Sequence, residues 1–392
     1  MLVLIFCILM FAALYAINRR VLSSNYLLIN PISMLIVVWV AVFIMHSAYF
    51  EYINHTPFTY LIILAGVFLF SSAFWIGVKR APIKKGVHLQ YNMSFLSKLL
   101  VAFIIVDIMR LIYYYNLMVN EIAGGGLLYF LANSNEFRFT YLNREFDFWT
   151  NVFTFLTNAT AYLGYVILGI YVANKGKRWV LGLIVCTLME LSLSILTISK
   201  LAFSLYALVL FIAYLTNLKT LREQKRLLRK IAPVLLALLV GFFLIIGYQR
   251  NYTDTREAGL VGGVMDGIID YFAGPMEAFG RLVANPKTKL GTMGMIDIGR
   301  TETNVYTWFY PFFRNFSYVG FVLGTMLMGF FMGKFYNTRK KTFFADMCNT
   351  WICSFIAFSF FDLLLSHTVF IFMFFYAYFV HSYFNRKLYV YQ

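Results

Sequence analysis

Apolar residues occur in long runs along this chain, and short polar stretches separate the runs. Eleven runs approach the length of about 20 residues that a helix needs to cross a bilayer. They cover residues 1–18, 31–50, 58–78, 94–118, 152–173, 179–197, 201–217, 231–249, 316–336, 350–366 and 368–384. Because a helix satisfies its own backbone hydrogen bonds in lipid, the pattern predicts an all-α polytopic protein with about 11 transmembrane helices. Two pairs of runs, at 179–217 and 350–384, leave the number open, since either pair could form one long helix or a re-entrant hairpin.

The composition supports a membrane protein. Apolar residues make up 61% of the chain and charged residues only 13%, whereas soluble domains contain about 25% charged residues. Little polar sequence is left for a separate soluble domain. We therefore expect a single integral membrane domain over residues 1–392.

Basic residues are concentrated in alternate connections between the apolar runs. These connections lie around residues 19–20, 79–85, 175–178, 219–230, 334–341 and 386–387. Because Lys and Arg collect on the cytoplasmic side of a membrane, the pattern predicts an outer (periplasmic) N-terminus and a cytoplasmic C-terminus. The net charge of +16 is thus a topology signal that favours contact with membrane lipid and does not indicate nucleic acid.

Two predicted outer segments, residues 119–151 and 250–315, are much longer than the other connections. Long connections in a compact fold are often functional. The second segment contains "DGIIDYFAGPMEAFGRLV", in which apolar and polar residues alternate at helical spacing. We therefore predict amphipathic helices along the membrane surface in this periplasmic loop. A purely structural cap over the helices is the alternative.

Arginine is unusually frequent in the second outer segment and at its borders. The residues are Arg250, Arg256, Arg281, Arg300 and Arg314. Arg binds phosphate groups through two parallel hydrogen bonds and keeps its charge, so this set predicts a site for an anionic lipid head group. For any one of them, the alternatives are a structural ion pair or a side chain that reaches from the interface toward water.

The same segment ends in "NVYTWFYPFFRNF", residues 304–316. Tyr306, Trp308 and Tyr310 fit an interfacial aromatic belt, and they equally fit a platform on which sugar rings stack. The outer segments contain no His pair and no Asp-x-Asp sequence, so we expect no metal and no cofactor. Candidates for a general base are Asp254, Glu257, Glu302 and His367, of which Glu302 is preferred because it directly precedes the aromatic motif.

Asp107, Arg110, Glu190 and Asp362 lie within predicted membrane spans, where charge is costly. Asp107 and Arg110 are three residues apart on one helix face, which predicts an ion pair. Glu190 and Asp362 have no partner nearby in the sequence. Glu190 either faces a substrate cavity or pairs with Arg110.

Three stretches resemble the oligosaccharide repeat-unit polymerases, the Wzy family that builds O-antigen and related surface polysaccharides. They are "YFAGPMEAF" at 271–279, "TNVYTWFYPFFRNFSYVGFVLGTMLMGFFMG" at 303–333 and "LTISKLAFSLYALVL" at 196–210. In the third, the Thr-Gly-Ser-Arg that is usual in the family reads Thr-Ile-Ser-Lys. The resemblance implies a GT-C-like glycosyltransferase architecture in the bacterial inner membrane. It also implies undecaprenyl-pyrophosphate-linked oligosaccharide as the substrate and a polysaccharide chain-length regulator as a candidate partner.

With this resemblance, the outer residues acquire expected roles. The expected catalytic residues are Arg250, Arg300, Glu302 and Arg314, with the arginines stabilising the charge on the leaving pyrophosphate. The expected substrate-binding residues are Lys200, Arg256, Arg281, Asn304, Tyr306, Trp308, Tyr310 and His367.

Two other functions share parts of this pattern. An O-antigen ligase would use the same donor, and its largest outer loop usually carries a histidine, which residues 250–315 lack. A lipid-linked oligosaccharide flippase or other transporter would instead arrange polar groups along a path open to both sides, often in two similar halves. The polar excess of this chain falls on one predicted side, which favours the polymerase.

Overall fold

The structure is a computed structural model. It describes residues 2–22, 29–50, 56–80, 90–142, 144–175, 180–197, 199–218, 222–230, 233, 241, 272–284, 296–297, 302–303, 306–338, 342–360 and 368–389.

The described residues are overwhelmingly α-helical. The larger helices are α1 (Leu2–Leu22), α2 (Pro31–Tyr49), α3 (Thr56–Arg80), α4 (Met93–Tyr115), α7 (Phe148–Lys175), α8 (Val180–Leu196), α9 (Lys200–Thr216), α12 (Tyr310–Thr338), α13 (Phe343–Ala357) and α14 (Thr368–Leu388). Shorter helices are α5 (Gly126–Ala132), α6 (Ser134–Leu142), α10 (222–230) and α11 (272–284), and a π-helix covers Asn116–Ala123. Two short antiparallel strands, β1 (Ile296–Asp297) and β2 (Glu302–Thr303), pair with each other.

The all-α prediction is confirmed. Among the described residues, five helices are long and apolar enough to cross a membrane, namely α1, α2, α3, α7 and α12. Every predicted apolar run except 231–249, which lies almost entirely outside the described residues, overlaps a described helix. The run at 179–217 forms two separate helices, α8 and α9. The total of eleven spans stays a prediction.

Helical structure begins before two of the predicted apolar runs. The run predicted at 350–366 is a helix that already begins at Phe343, because the Thr342 side chain accepts a hydrogen bond from the Ala345 amide and caps the first turn. Before the run predicted at 316–336, residues 310–316 form a separate short helix that ends at a kink. At the kink, Ser317 has φ 53° and ψ −148°, a backbone conformation that residues other than glycine rarely adopt.

The chain divides into two compact units. The first unit comprises Met1–His88 and Asp266–His367, and the second comprises Leu89–Met265 and Thr368–Gln392. The single integral domain expected from the sequence stays a prediction.

In the first unit, α3 and α12 pack closely through glycine residues. A Cβ atom on Gly333 would lie 2.2 Å from the Phe74 carbonyl oxygen, and one on Gly329 would lie 2.3 Å from the Phe70 carbonyl oxygen. The Asn337 side-chain amide also donates to the Val78 carbonyl at 2.9 Å. The absence of a side chain at these two glycines therefore lets the two backbones touch, as small residues do in membrane helix pairs.

Substituting Gly333 with alanine should disrupt this contact. The added methyl group would press on the α3 backbone, which has little freedom to move, so we expect the free energy of unfolding to fall by about 1–3 kcal/mol. Titration of the purified protein with denaturing detergent measures the change. Leu327→Ala on the exposed face of α12 is the matched control and should have a much smaller effect. Equal stability of Gly333→Ala and the wild type would contradict the close packing.

In the second unit, α7 packs against α4, α9 and α14. The predicted outer segment 119–151 is largely helical, with α5 and α6 following the π-helix. Asp147 then caps α7, since its Oδ1 accepts from the Thr150 amide at 3.0 Å and its Oδ2 from the Thr150 hydroxyl at 2.7 Å. The hydrogen bond from the Thr150 hydroxyl, and to a lesser extent the one from the Thr150 amide, lower the pKa of the Asp147 carboxyl below its ordinary value. The cap at Asp147 thus fixes the end of the predicted outer segment to the start of α7.

Candidate functional site

The structure describes only part of the site predicted from the sequence. Arg250, Arg256, Arg300, Asn304 and His367 lie outside the described residues. Glu302 is described as backbone in β2, paired with Asp297. Lys200 is the first residue of α9, and nothing further is described for its side chain. The roles predicted for these seven residues stay predictions.

The three predicted aromatic residues are buried in the first unit. The Trp308 ring lies 5.7 Å from that of Phe70, its Nε1 donates to the Met328 sulfur at 3.2 Å, and its exposed fraction is 5%. The ring centroids of Tyr306 and Tyr310 are 4.6 Å apart. This arrangement favours packing between helices over an open platform for sugars. Arg314 is half-buried in the short helix before the Ser317 kink.

Arg281 belongs to a polar network in the first unit. Its Nε lies 3.2 Å from Oε1 of Glu277, and Oε2 of Glu277 lies 3.2 Å from Nε2 of His46. The other ring nitrogen of His46 lies 3.1 Å from the Tyr60 hydroxyl. Because Glu277 and His46 are both buried, the network joins α11 to α2 and α3. Sequence reasoning did not identify His46, which is 231 positions from Glu277.

A polar cavity of about 280 Å³ lies in the second unit. We call it the α4–α8 cavity. It is lined by Arg110, Tyr114, Arg138, Tyr141, Asn158, Tyr162, Glu190, Leu193, Thr197, Ser199, Ala202 and Val369. Two arginines, three tyrosines and two hydroxyl side chains therefore face one space.

The base of this cavity is built around the Arg110 guanidinium group, which is 5% exposed. Its Nη1 donates to Asn158 Oδ1 at 3.1 Å, and its Nη2 donates to the Tyr165 hydroxyl at 2.9 Å. Nη2 also pairs with Glu190 Oε1 and lies 2.9 Å from Asp107 Oδ1. The predicted pair of Asp107 and Arg110 is confirmed. The predicted pairing of Glu190 with Arg110 is also confirmed, and Glu190 lines the α4–α8 cavity as well.

Helix α6 contributes Arg138 and Tyr141 to the lining of the cavity. Burial raises the pKa of the Tyr141 hydroxyl well above its ordinary value, so this phenol stays protonated and able to donate a hydrogen bond. Thr197 and Ser199 also line the cavity. The Ser199 side chain caps α9 by accepting from the Ala202 amide at 3.4 Å. Both residues belong to the Thr-Ile-Ser-Lys stretch identified in the sequence.

The elements around the cavity agree with the predicted alternation of helix directions. Helices α4 and α8 contribute residues near their C-terminal ends, and α9 and α14 contribute residues near their N-terminal ends. Helix α7 contributes Asn158 and Tyr162 from its middle. In the topology predicted from the basic residues, the four helix ends lie on the outer side. The α4–α8 cavity is therefore predicted to open toward the outer face.

Sequence reasoning did not select most of these residues. Arg138 lies in the shorter outer segment, which has no cluster of arginines. Two signals were present, however, because Arg110 and Tyr114 are four residues apart, as are Asn158 and Tyr162. Polar residues at this spacing share one face of a helix and indicate a polar interior.

Among the residues that the structure describes, no group of three or more His, Cys, Asp or Glu side chains could hold a metal ion. Positive charge in the α4–α8 cavity comes from Arg110 and Arg138.

No protein-family model, curated protein or solved structure matches this chain.

Proposed function

We propose that this protein is a membrane glycosyltransferase that polymerises oligosaccharide repeat units carried on undecaprenyl pyrophosphate. The observation that carries the proposal is the α4–α8 cavity, where two arginines line one space with Thr197 and Ser199 from the Thr-Ile-Ser-Lys stretch of the family resemblance. The site would lie at the outer face of the bacterial inner membrane. Family members of this type join a growing glycan to a sugar hydroxyl of a fresh lipid-linked unit.

The chemistry of the transfer matches the residues of the cavity. As the glycosidic bond breaks, the lipid pyrophosphate gains negative charge, and fixed guanidinium groups stabilise it most strongly where water is scarce. The Nε of Arg110 is buried and has no hydrogen-bond partner among the described residues, although Nη1 and Nη2 are both bonded. An oxygen atom of a ligand would satisfy this buried donor.

Sugar hydroxyl groups need partners that both donate and accept hydrogen bonds. Tyr114, Tyr141, Tyr162, Thr197 and Ser199 line the cavity and supply such groups. The cavity is thus lined both by arginines that can bind the pyrophosphate and by hydroxyl groups that can bind the sugar. Such an arrangement would align a donor with an acceptor.

The proposal is tested with purified protein and synthetic undecaprenyl-pyrophosphate-linked repeat units. We expect a ladder of products that grows by whole repeat units and persists in EDTA, because arginine residues supply the positive charge. Transfer of a single glycan to a lipid A core acceptor would instead establish a ligase. Movement of repeat units across the membrane without new glycosidic bonds would establish a flippase, and either result would overturn the polymerase.

A further inference from the structure

Two buried carboxylate groups share one guanidinium group at the base of the α4–α8 cavity. The side chains of Asp107 and Glu190 are 6% and 2% exposed, and both contact Nη2 of Arg110. The three side chains carry one more negative charge than positive charge when all are ionised.

The two carboxylates differ in their access to the cavity. Glu190 is one of the residues that line it, whereas Asp107 is not among them. Glu190 is also held firmly, because Arg110 and the Tyr165 hydroxyl both donate to its Oε1. Arg110 is fixed in turn by Asn158. The structure therefore places a rigid carboxylate beside the space in which the substrates would meet.

This position supplies a function that the polymerisation reaction needs. A sugar hydroxyl is a weak nucleophile, and a carboxylate that removes its proton in the transition state accelerates the transfer. The outer carboxylates considered from the sequence, Asp254, Glu257 and Glu302, have no described side chains. Among the described residues that line the cavity, Glu190 is the carboxylate.

We propose that Glu190 is the general base of the transfer reaction, an inference that rests on the proposed function. The Glu190 carboxylate takes the proton of the acceptor hydroxyl as the acceptor oxygen forms a bond to the anomeric carbon of the donor. The bond between that carbon and the pyrophosphate oxygen breaks, and its electron pair leaves with the lipid pyrophosphate. Arg110 and Tyr165 act as positioning residues for the Glu190 carboxylate.

The first test compares Glu190→Gln with the wild type in the ladder assay. Glutamine keeps the size of the side chain and accepts the hydrogen bond from Tyr165, but it does not take a proton. We expect kcat to fall by about 10²–10⁴-fold, while KM for the lipid-linked donor changes by less than about threefold. Polymerisation by Glu190→Gln within about twofold of the wild-type kcat would overturn the assignment.

A second test separates catalysis from a structural role of the ion pair. Azide is an anionic nucleophile that needs no deprotonation, so it should attack the donor in Glu190→Ala and release lipid pyrophosphate and glycosyl azide. We expect azide to restore turnover in Glu190→Ala and not in Asp107→Asn, whose carboxylate does not line the cavity. Loss of turnover in Glu190→Ala with no glycosyl azide would assign Glu190 a structural role only.

Two further measurements distinguish a wrong assignment of Glu190 from a folding defect and from a wrong proposed function. If Glu190→Ala fails to fold, Tyr165→Phe replaces it, because loss of this hydroxyl should lower kcat by about tenfold and leave KM unchanged if Tyr165 positions the base. An unchanged kcat in Tyr165→Phe would count against the assignment. Absence of polymer and of released lipid pyrophosphate with the wild-type protein would overturn the proposed function itself, which distinguishes that failure from a failure of the Glu190 assignment alone.

Discussion

Replacing Arg110 with alanine is expected to lower the free energy of unfolding by about 3–5 kcal/mol. The substitution leaves Asp107 and Glu190 buried without their shared cation, and it removes the hydrogen bonds to Asn158 and Tyr165. Isolated charges in a low-dielectric interior are very costly, so the loss should exceed that of any exposed ion pair. Detergent-induced unfolding of the purified protein measures the effect.

Arg144→Ala is the matched control for this prediction. Arg144 also pairs with a glutamate, at 3.1 Å, but its side chain is 41% exposed and that of Glu121 is 45% exposed. Such surface pairs contribute about 0–1 kcal/mol. The double variant Arg110→Ala, Glu190→Gln should recover part of the lost stability, because it removes one of the two uncompensated carboxylates. An Arg110→Ala protein as stable as Arg144→Ala would contradict the buried network.

The second large effect is expected for Arg138→Ala, which should reduce kcat/KM for polymerisation by about 10²–10³-fold. Arg138 lines the α4–α8 cavity from α6 and is half-buried, so it can reach a ligand at the mouth of the cavity. The loss would arise from the missing countercharge for the leaving pyrophosphate. The measurement is the rate of ladder formation, with the unfolding transition recorded in parallel.

Arg138→Lys refines this prediction. Lysine keeps the charge and loses the planar pair of donors that fits a phosphate group, so we expect an activity between those of Arg138→Ala and the wild type. Arg144→Ala, in the same outer segment, should retain wild-type activity. An Arg138→Ala protein that polymerises at the wild-type rate would show that the α4–α8 cavity does not bind the pyrophosphate.

Much of the fold could be predicted because long apolar runs have one stable outcome in lipid. Helices α4, α7 and α9, for example, follow directly from this constraint. Their ends depend on single hydrogen bonds, which a hydropathy pattern does not contain. The Thr342 cap extends α13 toward its N-terminus, and the Ser317 kink separates a short helix from the rest of α12.

The site was harder to predict, for a physical reason. Arginines in predicted outer segments are conspicuous because Lys and Arg normally collect on the cytoplasmic side of a membrane. The sequence therefore points to Arg250 and Arg314 as site residues. Arg110 lies within an apolar run, where one charged residue next to Asp107 is explained by an ion pair alone. Its further contacts to Glu190 and Tyr165 join residues 80 and 55 positions away. Only the three-dimensional packing of α4, α7 and α8 reveals that these groups form one network, in which Arg110 and Glu190 line a cavity.

The most direct test of the central claim is equilibrium binding of undecaprenyl pyrophosphate to the purified protein and its variants. We predict saturable binding that Arg138→Ala weakens at least tenfold and Arg144→Ala leaves unchanged. Undiminished binding to Arg138→Ala, together with loss of binding in Arg314→Ala, would contradict the account and would place the pyrophosphate beside the aromatic segment of the first unit instead.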